Sequence, residues 1–188
     1  MKLLKKRGIA WAVLIVSVLI SVFAFGGSGL RSARSGAVNV FMNGVDPSDT
    51  AGGVKLSCDQ YLKESAEYAT LMAEECRRYV SLENATASEV LSLSKSIKDG
   101  KDLNPRIVAY RDLAGKIESL YTEFHASQLA EDQAAVFDDN YTDFTQDAAS
   151  KIRHDGYNDI ARKYNESHSG ALERLVGGIL GIGALELF

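Results

Sequence analysis

Ile9-Ala-Trp-Ala-Val-Leu-Ile-Val-Ser-Val-Leu-Ile-Ser-Val-Phe-Ala-Phe25 is a run of seventeen residues without a formal charge. At about 1.5 Å per helical residue it spans roughly 26 Å. A bilayer core is about 30 Å thick, so the run is just long enough to cross one. Inside lipid the backbone can satisfy itself only as a helix or a closed barrel, and one segment makes only the helix. Lys2, Lys5, Lys6 and Arg7 stand just before it and, by the positive-inside bias, hold that end in the cytoplasm. Residues 1–8 therefore read as a basic cytoplasmic start, residues 9–25 as a transmembrane anchor, and the remainder as an exported chain on the cell membrane. The same features also fit a leader, with a basic start, an apolar middle and Val22-Phe-Ala24 as a cleavage pattern. Its apolar region lies at or beyond the upper end of the roughly 7–15 residues usual for a leader. Both readings export residues 30–188.

The whole chain of 188 residues has a formal charge of −4. The exported part keeps 17 of its 21 basic residues and all 25 acidic ones, a balance of −8. A net-acidic domain without a basic block argues against nucleic acid as a partner and against charge-driven docking on anionic lipid. Two prolines and few β-branched runs lean the chain towards helix. Cys58 and Cys76 lie eighteen residues apart. On one helix that is about 27 Å, too far for an internal disulfide, which needs Cα atoms within about 7 Å.

Residues 26–54 read as a linker, from Gly26-Gly-Ser-Gly to Asp46-Pro-Ser-Asp-Thr-Ala-Gly-Gly53. Residues 55–169 carry helical stripes. The first helix runs from about Ser57 to Leu82, capped by Ser57 or Asp59, with Tyr61, Tyr68, Met72, Cys76 and Tyr79 on one face. Thr86-Ala-Ser-Glu89 reads as a capping box for the second, and Gly100 as a left-handed cap at its end. Asn104-Pro105 opens the third, whose Tyr110, Ala114, Ile117, Tyr121, Phe124 and Gln128 recur at four-three spacing, as in a coiled-coil seam. The fourth carries Phe137, Tyr141, Phe144, Ala148, Ile152, Ile160 and Tyr164, with Gly156 as an interruption. The fold class is all-α: a transmembrane helix, then an antiparallel up-and-down bundle of about four helices. Residues 170–188 form an apolar, glycine-rich tail, too short to span a bilayer. It folds back on the bundle, lies against a membrane or a partner, or stays disordered; Gly177-x-x-x-Gly181 in it matches a helix-packing motif.

No catalytic constellation stands out, and neither a cofactor nor a metal site is expected. His125, His154 and His168 lack metal-ligand spacing. Asp139, Asp143 and Asp147 share a helix face, which reads as a solvated acidic stripe rather than a cation patch. Of the three Asn-x-Ser/Thr triplets, at Asn84, Asn140 and Asn165, two fall inside helices, where glycosylation is disfavoured. The most distinctive local feature is Tyr157-Asn158 followed one heptad later by Tyr164-Asn165. Both pairs fall on one helix face; they fit helix packing and also make the candidate interaction surface.

The stretch Ser150-Lys-Ile-Arg-His-Asp-Gly-Tyr-Asn-Asp-Ile-Ala-Arg-Lys-Tyr-Asn165 and the ending Leu175-Val-Gly-Gly-Ile-Leu-Gly-Ile-Gly-Ala-Leu-Glu-Leu-Phe188 resemble the final helix and short apolar tail of the LemA family of bacterial membrane proteins. The N-terminal anchor fits that resemblance too. The family's Asp-Leu-Ile-Pro-Asn-Leu-like stretch and its proline before the tail are missing, so the resemblance is to a divergent member. It implies a membrane helix, an exported antiparallel bundle and no known enzymatic activity. The expected function is therefore an envelope interaction or scaffold module, not an enzyme. Its expected partners are the membrane, through the N-terminal helix, and an envelope protein or a second copy. The alternative is a secreted or periplasmic ligand- or metal-binding bundle released by cleavage after Ala24.

Overall fold

The computed structural model describes residues 2–44, 57–127, 131–154 and 156–188. All regular structure among them is helical. The elements are α1 (Lys2–Ser21), α2 (Gly27–Asn43), α3 (Cys58–Tyr79), α4 (Ala85–Asp99), α5 (Leu103–Ala126), α6 (Glu131–Thr142), α7 (Ala149–His154), α8 (Tyr157–Ser167) and α9 (Ala171–Leu180). Two π-helical segments, Val22–Gly26 and Asp143–Ala148, join α1 to α2 and α6 to α7 without a break. The helix over Ile9–Asn43 is long and apolar enough to cross a membrane. Residues 9–20 of its apolar part are exposed, with Trp11, Val13 and Ile20 each at least 60% so, and Val22–Gly26 meets α9.

The first correction concerns residues 26–54. Gly27–Asn43 is helix, not linker. Its glycines and serines oppose helix by propensity, at about 1 kcal/mol per glycine. Tertiary packing overrides that. Leu30, Ala37 and Phe41 lie on one face and are buried against the rest of the molecule, and α2 packs on α3, α8 and α9. Residues 45–54 of that expected linker lie outside the described residues.

Helix α3 is the centre, with α2, α4, α5, α6 and α7 packed on it. Ser57 caps it in a full capping box: its Oγ accepts from Gln60 N at 3.2 Å, and Gln60 Oε1 accepts from Ser57 N at 3.0 Å. The buried face is Leu62, Ala66, Ala69, Met72, Ala73 and Cys76. Of the stripe read from the sequence, Met72 and Cys76 lie on this buried face, while Tyr61 and Tyr68 are half-buried and Tyr79 is 37% exposed. Small alanines let the neighbouring helices come close, and this stripe wins over the wider aromatic one. Both cysteines are buried, and neither is in a disulfide. Burial, with Glu123 nearby, pushes the Cys76 thiol up to about 11, so it stays a packed hydrophobe.

Three helix boundaries differ from the sequence signals for local reasons. Asn84, not Thr86, caps α4, accepting from Ala87 N at 2.7 Å. Thr86 instead donates to Glu123 Oε1 at 2.6 Å, and Glu89 pairs with Lys116. Gly100 ends α4 at φ −64°, an ordinary backbone. Glycine is needed there because an added Cβ would lie 2.5 Å from Ser96 O and 2.7 Å from Arg106 Cγ. Helix α5 starts one residue before Asn104, and the Asn104 amide is used elsewhere.

The fourth stripe survives with a phase change. Phe137, Phe144 and Ile152 are all buried. The π segment widens the helix, so the second step is eight residues rather than seven. Asp138 is engaged by His125 at 2.8 Å, and the Asp147 side chain lies outside the described residues. Gly156 sits at φ 79°, where a side chain is strained, and nothing lies within 4 Å of its absent Cβ. The interruption is thus a backbone requirement, not a close approach.

Candidate functional site

The four residues of the candidate interaction surface fall on α8, whose Tyr157 and Tyr164 are both buried. What Tyr157, Asn158 and Asn165 hold is the chain's own tail. Helix α9 ends at Gly181, φ 67°, with Gly181 N and Ile182 N both bonding Gly177 O, the latter at 2.7 Å. This six-to-one closure turns the chain back. Gly177 and Gly181 therefore serve a helix cap rather than a helix-helix seam.

From there the tail runs extended, and side-chain amides grip its backbone. Asn165 donates to Leu185 O at 2.8 Å and accepts from Leu185 N at 2.8 Å, reading one residue as a strand neighbour would. Asn104 on α5 does the same across two residues, donating to Ala184 O at 2.7 Å and accepting from Glu186 N at 3.1 Å. Asn158 accepts from Phe188 N at 2.9 Å. The Tyr157 hydroxyl donates to Glu186 O at 2.8 Å. Burial, first, pushes that hydroxyl well above its ordinary value, so it stays a donor. Arg111 meets the Glu186 carboxylate at 2.6 Å. An extended segment leaves its N–H and C=O groups free, and burying them unpaired costs about 1–3 kcal/mol each. Three asparagines and a tyrosine remove that cost.

Side chains then lock the end of the tail. Leu185 is 3% exposed. The Phe188 ring lies 6.2 Å from Phe41 of α2, 5.7 Å from Tyr110 of α5 and 5.7 Å from Tyr157 of α8. Phe41 and Tyr157 meet edge to face at 5.4 Å. Behind Phe41 stands Arg106, its guanidinium 5.7 Å from that ring. Arg106 is 4% exposed and its Nη1 lies 2.6 Å from Asp59 Oδ1. Asp59 Oδ1 is out of line for a directed hydrogen bond, so the contact is an ion pair. Lys63 completes the group at 2.8 Å from Asp59 Oδ2, and Arg106 Nε donates to Ile97 O at 2.8 Å. One hub thus joins α2, α3, α5, α8 and the tail.

Tyr164 is placed differently from Tyr157. Its ring lies tilted against that of His168 at 4.7 Å and borders a groove of about 760 Å³ beside the tail's turn, lined also by Asn165, Arg174, Gly177 and Gly178. His125 is taken by Asp138, and His154 lies outside the described side chains. Among the described residues no three His, Cys, Asp or Glu side chains gather as metal ligands.

Sequence reasoning singled out both Tyr-Asn pairs but missed Asn104, Arg106 and Asp59. Asn104 carried a signal, an Asn-Pro at a helix start, that pointed to a cap instead. Asp59 stood only as an alternative cap for α3, and nothing local marks Arg106. The turn that feeds the tail into this site can be tested directly. In Gly177→Ala the new Cβ would lie 2.5 Å from Ile182 O, a backbone atom that cannot step aside. The tail should fray, with faster hydrogen exchange at Leu185 and Phe188 and a loss of about 1–3 kcal/mol by urea unfolding. Unchanged exchange at those two amides would show that the turn tolerates a side chain.

No family model, curated protein or solved structure matches the chain.

Proposed function

We propose that the protein is a single-pass membrane protein whose N-terminal helix is retained as an anchor. Its exported part is an antiparallel helical bundle that serves the cell envelope as an interaction or scaffold module of LemA-like type, a binding role rather than a catalytic one. The observation that carries this reading is the continuity of the helix. The apolar stretch 9–25 runs through Val22–Gly26 into α2 without leaving helical geometry, and α2 is built into the body by Leu30, Ala37 and Phe41. Val22-Phe-Ala24, the cleavage pattern, lies inside that helix where α9 packs on it. A protease works on extended backbone, and this segment is helical. The basic residues before the apolar stretch support a cytoplasmic start and an exported body.

The Tyr-Asn surface belongs to this reading in a specific form. It is closed by the chain's own tail, so any partner that docks there, an envelope protein or a second copy, must offer an extended apolar segment that displaces Ala184–Phe188. Intact mass of the protein from the membrane fraction tests the anchor. The expected mass retains the first 24 residues, and the chain resists extraction by salt and alkali. A mass short by those residues, with the chain free in the soluble exported fraction, would replace this reading with a released bundle.

A further inference from the structure

We propose that α9 lies in the headgroup layer of the membrane that the N-terminal helix crosses, with Leu172, Leu175 and Ile179 in contact with lipid. The proposal rests on the anchor reading and adds a second membrane contact to it. Leu172, Leu175 and Ile179 are 54%, 59% and 62% exposed. Spaced three and four residues apart, they share one face of the helix. A neighbouring face is already used. Val176 is 2% exposed, and Leu180 closes on α2 so tightly that a Cβ at Gly27 would lie 2.5 Å from its Cδ1.

The depth of α9 is set by what it packs on. Its neighbours are Val22–Gly26 and α2. Val22–Gly26 closes the apolar stretch, so it sits where the helix leaves the hydrocarbon. A helix held against that segment is held at the bilayer surface, whatever its own affinity for lipid. The apolar face is continuous with the anchor. Phe25, 78% exposed, and Leu172 border the same gap of about 230 Å³, together with Val22, Leu30 and Val176. His168 and Glu173 line it as well, so the gap has an apolar side towards the anchor and a polar side away from it. Charge contributes little: Glu173 and Arg174 offset one another on α9, and the body is net acidic. The contact is therefore one of apolar insertion and does not select anionic lipid.

The test uses the full chain in lipid vesicles whose acyl chains are brominated at shallow or deep positions. An environment-sensitive dye is placed at Leu175→Cys. Cys58 and Cys76 are both 0% exposed, so the new thiol takes the label. Trp11, the single tryptophan, reports the anchor independently. Dye emission is expected to shift to the blue and to lose about half its intensity to shallow bromines and less to deep ones, as for a helix about 5–10 Å into the boundary. Added anionic lipid leaves this unchanged. Quenching of Trp11 with a water-like, unquenched dye overturns the inference and leaves the anchor standing. Equal quenching of the dye at Ser119→Cys, on exposed α5, also overturns it, because the whole body would then lie on the lipid. An unquenched Trp11 removes the anchor reading and this inference with it.

Discussion

Tyr157→Ala lowers folding stability by about 3–5 kcal/mol and releases the tail. The ring is fully buried, and removing a buried aromatic costs about that much because the surroundings cannot collapse around the void. Two contacts with other chain segments go with it, to Phe41 at 5.4 Å and Phe188 at 5.7 Å. The hydroxyl bond to Glu186 O is lost as well. Tyr157→Phe separates these contributions. It keeps the ring and loses only the hydroxyl, so the expected loss is about 1 kcal/mol, with the tail still in place. Urea unfolding gives the stabilities, and hydrogen exchange at Leu185 and Phe188 reports the tail. A loss under about 1 kcal/mol in Tyr157→Ala, with tail protection intact, would mean that the ring is not what holds the hub. There is a pH counterpart. Burial raises the titration of Tyr157 and Tyr164 above the ordinary 10. A group raised in the fold favours its protonated form there. Its stabilisation is complete below pH 10 and is lost as pH climbs above it.

Arg106→Met costs a similar amount, about 3–5 kcal/mol, by a different route. Methionine fills much of the space of the arginine stem but leaves the Asp59 carboxylate buried with only Lys63 opposite. Breaking one side of a buried pair leaves a charge that the interior solvates poorly. Ile97 O also loses its donor. Adding Asp59→Asn should recover a large part of the loss, and the double-mutant cycle should show a coupling of about 1–3 kcal/mol. Additive losses would mean that the two side chains act separately. The acid limb of the stability curve checks the same pair. Burial alone pushes the Asp59 carboxyl up, but the contacts with Lys63 and Arg106 outweigh it and hold the group below 3.8. A depressed carboxylate stabilises the fold above the ordinary carboxylate range and loses that contribution as pH falls through its folded value. The gap between wild type and Arg106→Met should therefore be widest near neutral pH and narrow below about pH 4.

The helices were legible in the sequence because their buried stripes repeat at helical spacing: Val90 and Ile97, Ile117 and Phe124, Phe137 and Phe144. Helix α2 was not, because glycine and serine hide a stripe of only three buried side chains spread over twelve residues. The Tyr-Asn pairs stood out, since large rings and amides at heptad spacing are uncommon. Their partner did not. Asn165 and Asn104 bond to main-chain atoms of the tail, and main-chain atoms are the same at every position, so no residue pattern advertises them. The hub around Arg106 and Asp59 depends on residues 47 apart in sequence, a distance over which local spacing says nothing.

Phe188 rests on Phe41, and 147 residues of chain separate the two. During synthesis the ribosome delivers the first of these rings long before the second. At about 5–20 residues per second the interval is roughly 7–30 s. Until it ends, Phe41 faces a vacant slot, and Asn104, Tyr157 and Asn165, as each is made in turn, have no tail to grip. The body can gather as the chain emerges, but the slot is filled only when Ala184–Phe188 follow. A ribosome that stalls shortly before them yields a body whose tail site is still open. Such a product is the form most exposed to quality-control proteases.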